Sequence, residues 1–153
     1  MGLDMYLEKR HYVKNWDHMP PERLHQIAIT RGGQPTNIAA ERISYVVEEV
    51  AYWRKANAIH RWFVDNVQDG NDDCGHYSLS ADTLRKLVAE CDRVLAAPDV
   101  AADVLPTREG FFFGGTDYDE YYFAELKMTK SMLEAVLAEP GADEAEYSYH
   151  SSW

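Results

Sequence analysis

The residue types best suited to recognising a ligand gather in the stretch Tyr52–Val67. Tyr52, Ala56, Ile59, Phe63 and Val67 recur at the spacing of one apolar helix face, which predicts a helix over the whole stretch. On that helix Trp53, Asn57 and His60 fall at i, i+4 and i+7 and share the flank beside the apolar face, while Arg54 and Arg61 share the next flank. An indole and an imidazole can stack on a planar group, an amide can read its edge, and guanidinium groups can hold an anion. The set suits an anionic, nucleotide-like ligand. The same residues also read as a core boundary, with Trp53 packed, Asn57 and His60 hydrogen-bonded and the arginines solvated.

A second segment, Gly110–Glu120, places three Phe between glycines ahead of a helix start. Backbone N–H groups exposed in such a turn can meet an anion. Phe112, Thr116 and Tyr118 are therefore assigned to the same ligand site, where this segment would face the Trp53–Arg61 helix. The segment matches neither the GxxxxGK phosphate loop nor GxGxxG, and Asp117, Asp119 and Glu120 suit a helix N-terminus without any ligand. A third cluster, Asp72-Asp73-Cys74-Gly75-His76, contains metal-ligand types, but no second pair at ligand spacing accompanies it. Asp and Gly also build ordinary turns, and no metal ligand is assigned. His11, His18 and His25 repeat every seven residues, yet Pro20-Pro21 interrupts any helix that would align them. No GxSxG or Cys–His–acid pattern is present, so no catalytic residue and no cofactor are assigned.

The chain that must position these residues has 153 residues, the size of one domain (1–153), and 46% hydrophobic residues support a buried core. Fifteen basic against 26 acidic residues give a net charge of −11, which disfavours duplex nucleic acid and favours a basic protein surface as partner. Two cysteines outside CxxC spacing point to a reducing, cytoplasmic setting, and no stretch of about 18 apolar residues offers a membrane span.

Leu3, Met5 and Leu7 alternate with polar residues, predicting an opening strand over 3–7. Pro20-Pro21, Gly32-Gly33 and Pro35 mark a loop-rich stretch with a helical turn over 22–29, and a strand is predicted within Arg42–Val50. His76–Leu79 reads as a short strand. Ser80 reads as the N-cap of a helix carrying Leu84, Leu87, Val88, Cys91, Val94 and Leu95. Thr116 and Asp119 have capping-box spacing before a helix to about Ala138, and Tyr147, Tyr149 and Trp153 suggest a closing strand. Two to three main helices on a small, mostly antiparallel sheet containing both terminal strands make an α+β fold.

The runs GLDMYL, EEVAYWRKANAIHRWFVDNVQDGNDDC, LPTREGFFFGGTDYDEYYFAEL and YSYHSSW, about two-fifths of the chain, resemble a family of small bacteriophage and prophage proteins. The resemblance implies a host-cell cytoplasmic setting and carries no reaction with it. The expectation is a non-enzymatic accessory protein binding a small anionic or nucleotide-like ligand, in its sharpest form a sponge for a host defence signal. An acidic protein–protein inhibitor or DNA mimic acting on a host protein is the second expectation, with Asp143, Glu144 and Glu146 on its surface. A nucleotide or metabolite hydrolase is the third. Self-association is compatible with each.

Overall fold

Alternation decides the sheet. In the computed structural model, which describes residues 2–153, β1 (Asp4–Tyr12) turns Met5, Leu7 and Lys9 inward and Tyr6 and Glu8 outward. It runs well beyond the predicted end at Leu7. A pair of two-residue strands, β2 (Thr30–Arg31) and β3 (Gln34–Pro35), forms a small separate hairpin. The helical turn expected over 22–29 shrinks to a 3-10 turn at Pro21–Arg23, since Pro20 and Pro21 fix its entry and nothing apolar beneath holds a longer helix.

The next strand, β4 (Tyr45–Arg54), corrects the sequence reading most. The predicted helix over 52–67 exists only as α1 (Asn57–Asn66). Tyr52, Trp53 and Arg54 belong to the strand, with Ala51 and Trp53 inward and Tyr52 and Arg54 outward. Pairing with β1 (Met5 opposite Trp53, Tyr6 opposite Tyr52) wins over helical spacing, because a strand end and a cap can mimic one more helix turn. Lys55, at φ 58, takes the left-handed conformation that reverses the chain between the two elements.

After α1 come β5 (Tyr77–Leu79), α2 (Ala81–Ala96), the short α3 (Ala101–Val104), α4 (Glu120–Leu137) and β6 (Glu146–Ser152). Ser80 caps α2 as expected, its hydroxyl accepting from the Thr83 N–H at 3.3 Å. The cap of α4 is Asp119 rather than Thr116: its carboxylate accepts from the Tyr122 N–H at 3.1 Å. The sheet order is β4-β1-β6-β5 with every pairing antiparallel, so both terminal strands lie at its centre. The fold is α+β, helices packed on one face of a small antiparallel sheet.

The core lies between that face and the helices. Phe63 of α1 stacks on Tyr149 of β6 at 3.9 Å and meets Trp53 edge-on. The Trp53 indole N–H donates to the Thr129 hydroxyl of α4 at 2.9 Å. Leu84, Leu87, Cys91 and Val94 of α2 and Leu126, Leu133 and Val136 of α4 complete the core. Burial pushes the Cys91 thiol up to about 12, so it serves as a small apolar side chain. Among the described residues, no helix is long and apolar enough to cross a membrane.

Candidate functional site

The structure does bring α1 and the Gly110–Glu120 segment together, as the sequence reading expected, and it shows how their polar groups are engaged. Asn57 is buried, and its amide nitrogen donates to the Phe113 and Gly115 carbonyls at 3.1 and 2.8 Å. Its amide oxygen accepts from the Arg108 N–H at 3.0 Å. Arg61 donates to the Thr107 carbonyl at 3.0 Å, and the Thr107 hydroxyl donates to the Thr116 carbonyl at 2.9 Å. The Tyr118 hydroxyl accepts from the Thr107 N–H at 3.2 Å. Gly114 sits at φ +90, and a Cβ there would lie 3.2 Å from the Lys55 backbone, so this loop closes on Lys55 only with glycine.

His60 is 0% exposed and anchors a second network. Its Nδ1 lies 2.7 Å from the Tyr149 hydroxyl and its Nε2 3.0 Å from Asp72 Oδ1. Arg108 pairs with the other Asp72 oxygen at 3.1 Å, and the Trp153 indole donates to Asp72 Oδ1 at 3.0 Å. Burial pulls the His60 pKa below its ordinary value and lifts that of the Tyr149 hydroxyl well above its own. One proton arrangement satisfies all three groups: the phenol donates to a neutral Nδ1, and Nε2–H donates to the carboxylate. A Tyr–His–Asp chain resembles a proton relay, but Tyr149 is fully buried and Phe113 lies edge-on to His60 at 5.6 Å. It ties α1, β6 and the chain end together.

The expected ligand residues therefore divide. Trp53 is 1% exposed and offers no stacking face. Asn57 and His60 are buried in hydrogen bonds within the chain. Arg54 is exposed at the end of β4, 3.9 Å from Asp4, and Arg61 is half engaged with the loop. Phe112 is exposed at φ 62 beside the yet more exposed Phe111. A pocket of about 250 Å³ does lie where α1 meets the glycine-rich loop, walled by Lys55, Asn57, Gly114 and Gly115. Asp117, Asp119 and Glu125 also line it, and burial with Asp119 nearby pushes Glu125 up to about 7.

Two further surfaces were not legible as sites in the sequence. On the sheet face away from the helices, Tyr52, Tyr6, His150 and His76 form a row of rings across β4, β1, β6 and the approach to β5, stacked from Tyr6 to His76 and tilted between Tyr52 and Tyr6. Glu8 stands beside this row, and the ligand atoms of Glu8, His76 and His150 lie within 4.8 Å of one another. An open groove of about 890 Å³ adjoins them, with Arg10, Ser78 and Ser148 on its walls. No sequence spacing relates these residues; register alone does.

The other surface is the excursion from Val13 to Ser44, an arm between β1 and β4. Val13 is its only buried residue. The arm holds its shape by local bonds: the Asn15 side chain exchanges two 2.8 Å hydrogen bonds with the backbone of His25, and Thr36 donates to the Ile29 carbonyl at 3.0 Å. Of the fifteen large hydrophobic residues exposed among the described residues, eight lie on the arm or the strand ends bearing it: Tyr12, Trp16, Leu24, Ile29, Ile38, Tyr45, Val46 and Val47. Comparison of the chain with protein-family models, curated proteins and solved structures finds no match.

Proposed function

We propose that this is a binding protein whose partner is another protein, engaged through the arm 13–44. The observation that carries this reading is the arm's composition against its burial. Ordered connections of this length without a core of their own are uncommon and usually functional. Eight exposed apolar side chains gathered on the arm together with the β1 and β4 ends that bear it mark a protein-binding surface rather than an ordinary loop. Charge supports the same reading. The arm has four basic residues and three acidic ones, a net +1, so the remaining chain carries −12 of the total −11. A nearly neutral, aromatic-bearing contact element on an acidic body suits a partner with an apolar docking surface set in a basic field. The body's charge would then act mainly on the rate of encounter.

Of the two binding expectations, the small anionic ligand has less support. Trp53 is buried, and the pocket beside Asn57 has carboxylates on its wall. The resemblance to phage proteins supports a protein of the host as that partner.

The test compares the full chain with a variant in which residues 14–43 are replaced by a short Gly-Asn turn joining β1 to β4. Both are purified from cells that naturally make the protein, the retained proteins are identified, and each is titrated back by calorimetry. The reading predicts a partner that binds the full chain and not the variant, although the variant keeps its melting temperature within a few degrees. A partner that binds both equally, or a co-purified small molecule with no protein partner, would contradict it.

A further inference from the structure

The row of rings on the outer sheet face ends in a grouping that hydrogen bonding within the chain leaves unexplained. His150 sits in β6 opposite Tyr6 of β1, and its ring stacks on Tyr6 at 4.7 Å and on His76 at 4.0 Å. Its Nδ1 is buried without a hydrogen-bond partner among the described residues. Glu8 Oε1 stands 3.9 Å from it, too far for a hydrogen bond. A buried ring nitrogen with no partner costs free energy unless something not made of protein meets it.

We propose that Glu8, His76 and His150 form a three-ligand site for a divalent transition-metal ion of the zinc type. Two imidazoles and one carboxylate are a standard donor set for this class of ion, and three protein ligands leave a fourth position for water or an anion. Zinc binds nitrogen or oxygen at about 2.0–2.2 Å, so two ligands of one tetrahedral ion stand roughly 3.3–3.6 Å apart. The separations in the structure, 3.9 Å for Glu8 to His150 and within 4.8 Å for the set, require an inward movement of about 1 Å. His76 can supply it, because it stands next to Gly75 on the approach to β5 and its ring is tilted 27° from that of His150. The other two ligands are held by paired central strands. Glu8 and His76 also line the groove containing Arg10, Ser78 and Ser148, so an anion bound there beside the ion would meet a cation and two hydroxyl groups.

The proposal is independent of the arm, and its test uses the full chain stripped with a chelator and titrated with zinc. One ion per chain is expected, with a rise in melting temperature. Cobalt in its place should give the intense visible bands of a four-coordinate site. His76→Ala should weaken zinc at least ~100-fold, since even residues that only orient a ligand cost 10–100-fold. Because His76 lies at the surface, this variant should keep its fold; Glu8→Gln provides a second and isosteric one. His18→Ala in the arm should bind as the parent does. No stoichiometric binding by the parent overturns the proposal. So does binding that persists unchanged in both His76→Ala and Glu8→Gln.

Discussion

Trp53 shows how one side chain can be read two ways and which quantity separates them. As a ligand-stacking residue its loss would reduce binding and leave the fold intact. In the structure it fills the core between β4, α1 and α4 and satisfies Thr129. Trp53→Ala should therefore destabilise by about 3–5 kcal/mol, a large part of a domain's total, measured by denaturant unfolding. Trp53→Phe should cost clearly less, because it keeps most of the volume and loses one hydrogen bond. His60 makes a claim about pH. It is held neutral in the fold, with a pKa below the ordinary value near 6.5, so below that pH the unfolded chain takes up a proton that the folded chain refuses. Stability is thus full above about pH 7 and falls as pH drops through 6.5, by at most ~1.4 kcal/mol per pH unit for this one group. His150 acts with the same sign. Unfolding curves between pH 5 and 8 should show this slope, and His60→Gln should flatten it. A parent protein equally stable across that range would contradict the neutral assignment.

At the scale of elements, patterns confined to one segment were legible and those set by neighbours were not. The α2 helix could be read from Ser80 and its apolar stripe, and both terminal strands from two-residue alternation, because cap and periodicity lie within the element itself. The boundary between β4 and α1 was not legible. Tyr52 and Ala56 extend the helical spacing backwards, and only the β1 partner shows that Tyr52 and Trp53 are strand residues. The placement of Trp53 and Arg54 on the helix flank fell with that boundary, whereas the meeting of α1 with the glycine-rich loop survived. Glu8, His76 and His150 lay beyond sequence reading for a related reason, since strand order alone joins them. The central place of β6 makes the C-terminal segment structural. Removing Ser148–Trp153 would strip β1 and β5 of their shared partner and leave His60 without Tyr149. That truncation should abolish the cooperative thermal transition. A truncated chain melting with the parent would show that the sheet does not need β6.

At the scale of the whole molecule, the chain divides its work unevenly. An acidic body holds nearly all the buried residues, and the arm of 32 residues that links β1 to β4 holds one. Pro and Gly in this stretch announce irregular structure in the sequence, but which side chains stay uncovered depends on packing that the arm never receives. The account rests on that arm being covered in the working state. The most direct measurement is amide hydrogen exchange on the chain alone and in complex with the partner retained by the full chain. Alone, the arm's exposed backbone should exchange much faster than the paired amides of β1 and β6. In the complex, new protection should concentrate within residues 13–44 and the adjoining ends of β1 and β4. Protection confined to the α1 pocket or the outer sheet face, with the arm exchanging as fast as before, would contradict the account.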